Sequence, residues 1–305
     1  MDGGVLLQVV LSGLAAGAVL GLIAAGFSLV AGTVRVLHLA HGDLVVAAVF
    51  TSVLIVLGRT PVATVLGPGR SALFLTLTLL AGAALTGLVA VLAIGPYLSD
   101  RGRARDALGW VASGVAAGLL VRAVLGLLLP QQGYAVPDPL RLASLTSDGL
   151  VHLRGGTTLS ARVPAVLVLG LAIGLVAERL LVRSRFGRSL RAVADDPDAA
   201  ALCGIDARRV VLLAFVAAGL LAGIAGVLDA PGRAVSVDDG VVLGLEAIGA
   251  ALIGGLGSLR GAVVGGLVVG VVQALAVYVG GSAFQDVAPL SLLVVLLAVR
   301  PEGRT

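Results

Sequence analysis

Residues 5–31 read VLLQVVLSGLAAGAVLGLIAAGFSLVA and contain no charged side chain. A helix needs about 20 predominantly apolar residues to cross the hydrocarbon core of a bilayer. The stretch is also too long for the apolar core of a signal peptide, and the preceding Met1–Gly4 carries no basic residue. It therefore predicts a membrane-spanning helix.

The composition extends this prediction to the whole chain. Of 305 residues, 58% are hydrophobic and 12% are charged, and the mean hydropathy is +1.10. The charged share is about half that of an ordinary soluble domain, which argues against a soluble enzyme. The 44 glycines predict closely packed membrane helices, because a missing side chain lets two backbones approach. The basic residues are all arginines that lie between apolar runs, which does not favour a nucleic-acid partner.

Further apolar runs follow along the chain, and several reach the length of a full span. We therefore predict an all-α fold, a polytopic membrane helix bundle with about eight or nine membrane segments, some of them discontinuous. The whole chain, 1–305, is expected to form a single transmembrane domain in the cell membrane. The runs cover about 5–31, 44–57, 72–95, 107–129, 163–182, 209–228, 241–256, 261–280 and 287–299.

Arginine positions predict the orientation, because short loops rich in Arg lie on the cytoplasmic side. Two connections carry such clusters, 97–106 and 183–209, and both are therefore expected inside. Two crossings separate them, which places the thinly charged connection 130–162 outside as an extracytoplasmic loop. The basic end at 300–304 is also expected inside.

The cytoplasmic loop 183–209 contains the signals of a very short helix. Asp196 suits the N-cap, Pro197 the first helical position, and Asp198 the positive end of the helix dipole. Gly204 is placed to end the helix as a left-handed residue. Such a helix is marginal alone, so it predicts docking into a partner, with Ala199 and Ala200 allowing close approach and Leu202 an apolar contact. The alternative is a connector that lies on the membrane surface.

Polar and glycine residues interrupt the apolar runs at two places. Ionisable groups inside a membrane segment usually face a cavity or a partner, and paired interrupted segments point to a transport site. The alternatives are a polar turn at the inner interface, with Asp43 as a cap, and a tight helix–helix turn. His38 and His41 lack further nearby ligands, so no metal site is expected. The candidate path residues are His38, His41, Gly42, Asp43, Gly254, Gly255, Gly257 and Ser258.

Three ordered segments resemble those of a known family. The stretch 198–204, DAAALCG, resembles the Glu-Ala-Ala-x-x-x-Gly loop of ABC importer permeases, with Asp for Glu. The stretch 36–43, VLHLAHGD, resembles the Ile-Asn-Phe-Ala-His-Gly-Asp segment of branched-chain amino-acid permeases of the LivH type. The stretch 250–266, AALIGGLGSLRGAVVGG, resembles a third segment of that family. The sequence departs from the family at His38 and Leu39, at Glu246, where many relatives have Lys, and at Arg260, where the usual residue is Pro.

The resemblance implies a permease subunit of an ATP-driven importer, the inner-membrane component of a binding-protein-dependent transport system. Its expected partners are two cytoplasmic ABC ATPases, a second permease subunit (identical or homologous), an extracytoplasmic solute-binding protein and the lipid bilayer. Residues 196–204 would be the coupling helix. Branched-chain amino acids are the leading substrates, and other amino acids, urea or short amides stay open.

Two other classes of protein fit the sequence less well. An ion-coupled secondary transporter or channel for a small polar solute would need buried acids or bases for coupling, and these are sparse. A membrane enzyme would need a nucleophile and acid–base groups, which three His and one Cys do not supply. The chain has no Lys, so it lacks the phosphate-binding Gly-x-x-x-x-Gly-Lys loop. ATP and Mg are therefore expected to be used by partner subunits, with no cofactor and no metal in this chain.

Overall fold

The computed structural model describes residues 3–34, 38–58, 64–94, 107–130, 132–146, 149–152, 158–285 and 287–299. The arginine cluster at 97–106 lies outside these residues. The helices are α1 Gly3–Val34, α2 His41–Leu57, α3 Pro68–Val89 followed by a π-helical turn Ala90–Ile94, α4 Ala107–Leu128, α5 Arg162–Arg183, α6 Arg185–Asp195, α7 Pro197–Leu202, α8 Ala207–Asp229, α9 Asp239–Gly254, α10 Leu259–Gly280 and α11 Val287–Val299.

Among the described residues, six helices are long and apolar enough to cross a membrane: α1, α3, α4, α5, α8 and α10. They confirm the predicted polytopic helical architecture. The same part of the chain contains shorter apolar helices, namely α2, α9 and α11. Many large apolar side chains on the long helices are exposed, as expected for surfaces that meet lipid or another membrane helix.

The centre of the bundle is α1, which packs against α10 along most of its length. Glycines make this contact possible. A Cβ atom built on Gly13 would lie 2.8 Å from the Gly270 carbonyl oxygen, and one on Gly17 would lie 2.6 Å from the Gly266 oxygen. At Gly21 the Cβ would meet the Val263 Cα at 2.9 Å. The spaced glycines of the sequence therefore mark a backbone-to-backbone helix contact.

The short helices α2 and α9 begin beside the midpoints of longer ones. The His41 ring, in the first turn of α2, lies against Gly26 of α1. The carbonyl oxygen of Ala218 lies at the same place, and Ala218 is the midpoint of α8. Asp43 lies against Gly118, halfway along α4. The first turn of α9 then packs on the first turn of α2 at Gly240. The two helices thus start inside the bundle and run in opposite directions.

The described residues of the segment 130–162 pack at one end of the bundle. Strand β1 (Tyr134–Ala135) pairs antiparallel with β4 (Ala234–Val235), and β2 (Leu150–His152) pairs with β3 (Thr158–Ser160). Arg162 closes the segment by donating to the Asp138 carboxylate at 2.9 Å and to the Leu228 carbonyl. The strands were not predicted, because two or three residues are too short to show a periodic pattern.

We expect Gly17→Ala to lower the thermal stability of the purified protein, since the added Cβ has no room unless α1 and α10 move apart. Overpacking of this kind costs roughly 1–3 kcal/mol. Gly126→Ala is the matched control, because a Cβ at Gly126 of α4 meets nothing within 4 Å. Melting curves in detergent should show a lower Tm for Gly17→Ala alone. An equal Tm for both variants would contradict the packing described.

Candidate functional site

The connection between α5 and α8 is built from two short helices. The Ser184 hydroxyl caps α6 by accepting from the Gly187 N–H at 3.0 Å. Gly187, Leu190 and Val193 form the buried side of α6, while its arginines face outward. The sequence prediction missed α6, although Phe186, Leu190 and Val193 stand at the i, i+4, i+7 spacing of an amphipathic helix.

The predicted short helix exists as α7. The Asp196 carboxylate caps it, accepting from the N–H groups of Asp198 at 2.9 Å and Ala199 at 3.0 Å. Pro197 occupies the first helical position. At the other end Gly204 has φ +80°, and the Gly204 and Ile205 N–H groups donate to the Ala201 and Ala200 carbonyls at 3.0 Å. This pair of backbone hydrogen bonds is the Schellman motif, which ends the helix after about two turns.

One side of α7 is turned away from the rest of the chain. Leu202 is 91% exposed and Ala199 is exposed, whereas Ala200 is only 4% exposed and belongs to the same apolar cluster as Leu190 and Val193. The expectation that both alanines would face a partner therefore has to be corrected for Ala200. Its small side chain instead lets α7 lie close to the chain's own core.

Helices α2 and α9 cross with their glycine-bearing faces in contact, and this contact is the α2–α9 crossing. A Cβ on Gly42 would lie 2.5 Å from the Gly244 N and 2.7 Å from the Gly244 Cα. A Cβ on Gly240 would lie 2.6 Å from the Asp43 Cα. Larger side chains at these positions would force the helices apart. Of the predicted path residues, Gly42 and Asp43 take part in this crossing.

Two arginines surround the first turn of α9. Arg122 of α4 donates to the Asp43 carboxylate at 2.9 Å and lies 3.9 Å from Asp238. Arg233 donates to Asp229 at 2.9 Å and also pairs with Asp239. Burial alone would lower the pKa of Arg233, but the Asp229 and Asp239 carboxylates raise it above its usual value. The neighbouring residues Asp238 and Asp239 are thus engaged by different arginines.

The two histidines form a buried ring cluster. His38 is 4% and His41 0% exposed. The His38 ring lies 5.0 Å from Phe215 and 6.2 Å from His41, and the His41 ring lies 6.2 Å from Phe27. Neither histidine lines the cavities of about 700, 300 and 220 Å³ that the described residues form. In the part of the chain that the structure describes, no three His, Cys, Asp or Glu side chains converge as metal ligands do.

The second predicted segment forms the turn between α9 and α10. Gly255 and Gly257 have φ of +90° and +87°, and Ser258 caps α10 by accepting from the Gly261 N–H at 3.1 Å. Gly254 packs directly on the Gly261 backbone, and the Gly257 N–H donates to the Ser28 hydroxyl at 3.1 Å. The turn borders a cavity of about 300 Å³ that also touches Glu178 and Arg191.

The structure does not bring the two predicted segments together. His41 contacts α1 at Gly26, whereas Gly257 contacts it at Gly32. Six residues along a helix correspond to about 9 Å and to a rotation of about 240°, so the contacts lie on different faces. Residues 38–43 instead contact the first turns of α9, at Gly240 and Gly244. The sequence prediction paired the opposite end of that helix with the first break, and a path shared by the two predicted segments stays a prediction.

A smaller cavity adjoins the crossing. Its volume is about 220 Å³, and it is lined by Asp43 and Arg122 together with apolar side chains of α4 and α9 such as Leu119 and Leu245. The Asp238 side chain is 56% exposed and that of Arg122 25%. Charged groups within a membrane segment are costly when they face lipid. This side of α4 and α9 is therefore suited to water or to another protein subunit.

Comparison with known proteins gives the family. The family described as "Branched-chain amino acid transport system / permease component" matches residues 9–299. LivH, the high-affinity branched-chain amino acid transport system permease protein of Salmonella typhimurium, is 28% identical, with 97% of this chain and 94% of LivH aligned.

Two further relatives show the breadth of the similarity. BraD of Pseudomonas aeruginosa is 26% identical over the same shares of the two chains. The L-arabinose ABC transporter permease AraH of Azospirillum brasilense is 31% identical over 53% of this chain and 55% of AraH. With its long apolar helices and a family match over nearly its full length, this chain is a multi-pass membrane protein that belongs to the family of branched-chain amino acid transport permeases.

Proposed function

We propose that this chain is the membrane-spanning permease subunit of an ATP-driven importer for branched-chain amino acids. The observation that carries the proposal is the family match from residue 9 to 299, together with LivH and BraD as relatives aligned over 97% of the chain. Residues 1–305 then form one transmembrane permease domain. The similarity to a permease for L-arabinose makes the substrate the part that most needs an experiment.

The proposed topology has nine membrane segments, the six long helices plus α2, α9 and α11. In it, α2 and α9 are discontinuous segments that start within the bilayer, since their first turns lie beside the midpoints of α8 and α4. Residues 183–209 form the cytoplasmic coupling loop, as their exposed arginines favour. Residues 130–162 form the extracytoplasmic loop.

The coupling helix in this proposal is 196–204. Asp196, Pro197, Asp198 and Gly204 shape it, Ala200 seats it on the chain's own core, and the exposed Ala199 and Leu202 meet an ATPase subunit. A Leu side chain that is 91% exposed at the end of a rigid, doubly capped helix fits a contact that is completed by another protein. ATP and Mg are used by two such ATPase subunits, and no cofactor is required in this chain.

The proposed solute path follows the crossing of α2 and α9. Paired helix starts inside the membrane are typical of transport sites, and here they carry the Asp43–Arg122–Asp238 group. Their exposed side would face a second permease subunit across the path. Gly254, Gly255, Gly257 and Ser258 would shape the inner end of the path, with His38 and His41 as packing for the first break. A solute-binding protein would deliver the amino acid from outside.

A reconstituted system tests the function directly. Proteoliposomes that hold this permease with the ATPase and binding protein encoded by neighbouring genes should accumulate labelled leucine only when ATP is present on the ATPase side. Leucine uptake that follows an ion gradient without ATP would instead support the alternative, an ion-coupled transporter. Arabinose uptake without leucine uptake would contradict the proposal that branched-chain amino acids are the substrates.

We expect Leu202→Asp to weaken the association with the ATPase by about tenfold or more, because a carboxylate replaces an apolar contact residue. The permease itself should keep its Tm, as Leu202 packs little against its own chain. Leu145→Asp is the matched control, since Leu145 is 62% exposed in segment 130–162. Copurification of the ATPase with each variant is the measurement. Equal ATPase yields with both variants would show that Leu202 is outside the contact.

Removing one partner of the Asp43–Arg122 pair should be strongly destabilising. We expect Arg122→Gln to cost roughly 3–5 kcal/mol, because it leaves the Asp43 charge buried without its partner. The double variant Arg122→Gln with Asp43→Asn should recover much of that stability but not uptake, since the path then lacks its charged group. Thermal unfolding and leucine uptake of the two single variants and the double variant form the cycle. Full uptake by a stable double variant would remove this pair from the path.

A further inference from the structure

A large cavity lies between α1, α9 and α10, on the opposite face of α9 from the small cavity that adjoins the α2–α9 crossing. Its volume is about 700 Å³, within the usual range of ligand pockets of roughly 300–1,000 Å³. On α1 it extends from Val5 to Ile23, which corresponds to about 27 Å of helix. None of the residues predicted from the sequence as path residues lines it.

Polar side chains from α1, α9 and α10 line the cavity. Glu246 of α9 is 6% exposed, and the Gln273 amide of α10 donates to its carboxylate at 3.2 Å. Ser12 of α1 lies at the same level, because its neighbour Gly13 touches α10 at Gly270 and Ala274. A carboxylate, an amide and a hydroxyl from three helices therefore line the same cavity, with the carboxylate and the amide in direct contact.

The remaining walls are mainly apolar near this group. Side chains of α1 and α9 supply branched aliphatic surface to the cavity. Polar groups inside membrane segments usually face a cavity rather than lipid, so the cavity is the reason that Glu246 is tolerated in α9. The apolar lining residues include Val9, Val19, Leu20, Val242 and Leu243.

The charged side chains that line the cavity favour a positively charged group on the ligand. Among the described lining residues, Asp229, Asp239 and Glu246 are acidic and Arg233 is basic. Arg233 is engaged by Asp229 and Asp239 at one end. Glu246 lies two helical turns further along the same face of α9, about 10 Å from Asp239. Gln273 is a neutral hydrogen-bond partner of the Glu246 carboxylate.

We infer that this cavity is a binding site for a zwitterionic aliphatic amino acid, with Glu246 as the receptor of its ammonium group. The ammonium donates to the Glu246 carboxylate, beside Gln273. The solute carboxylate takes hydrogen bonds from neutral donors such as Ser12, and the aliphatic side chain packs against the apolar wall. The site rests on the proposed function and adds to it a second solute site, separate from the path at the α2–α9 crossing, with a preference for ammonium-bearing solutes over anions.

Protection from a thiol reagent tests the site without the binding protein. Cys203 is the sole cysteine of the chain, so Cys203→Ser gives a cysteine-free background. Ala16→Cys places a thiol in the cavity wall, and Ser282→Cys places one on an exposed turn outside it. In vesicles that hold the permease–ATPase complex, an impermeant thiol reagent is added from outside. We expect millimolar leucine to slow labelling of Ala16→Cys by about tenfold and to leave Ser282→Cys unchanged.

Two further comparisons test the role of Glu246. In the Ala16→Cys background, Glu246→Gln should abolish the protection. With Glu246 intact, isopentylamine (leucine without its carboxylate) should protect, whereas 4-methylpentanoate (leucine without its ammonium) should not. This pair of solutes keeps the test valid even if Glu246→Gln fails to fold.

The outcomes separate the inference from the proposed function. Lack of labelling at Ala16→Cys, labelling that leucine does not slow, or equal protection by the amine and the acid would overturn the site. If the wild-type complex with its binding protein still takes up leucine in an ATP-dependent way, the proposed function stands without it. If the wild type takes up no leucine, the proposed function itself fails.

Discussion

Backbone contact between helices is the constraint on which this structure depends. In lipid there is little hydrophobic force to press one helix on another, so packing requires close approach. The glycine face of α1 meets that requirement along α10, and the glycines of α2 and α9 do so where these helices cross. Since α1 also packs against α5, α8 and α9, its position sets the position of nearly every other central helix.

The close approach of α2 and α9 has an electrostatic consequence. Helices that start inside a bundle leave unpaired backbone N–H groups and a partial positive charge at each start. Aspartates stand at both starts, and their negative charge favours these positions. Acidic groups alone would be expensive to bury, so Arg122 and Arg233 lie against them from two sides. The same residues thus stabilise the helix starts and make the site polar.

Local features were the part of the structure that the sequence predicted well. The caps of α7 and the left-handed Gly204 each depend on residues a few positions apart, and each is present as expected. The helix α6 had a local signal as well, in the spacing of Phe186, Leu190 and Val193, but the signal was not used.

Contacts between distant segments could not be predicted in the same way. The pairing of the first break with the start of α9 joins residues about 200 positions apart, and no periodicity records it. Burial of Ala200 depends on how α7 folds back on α6, which the short helix alone does not specify. The Glu246–Gln273 pair needs the α9–α10 turn to bring two helix faces together. Only the three-dimensional structure therefore shows that the Glu246 cavity and the α2–α9 crossing are two different places.

The helix α9 is the element that these parts share. One of its faces, at positions 239, 242, 243 and 246, borders the large cavity, and the opposite face, at 241, 244, 245 and 248, borders the small one. Its C-terminal end is fixed to α10 through Gly254 and Gly261, and α10 is tied to α5 by the Arg260–Glu178 pair just before the chain enters α6 and α7. Contiguous contact is not by itself coupling. It does mean that a shift of α9 cannot enlarge one cavity without changing the other, so that both cavities respond together to any movement of this helix.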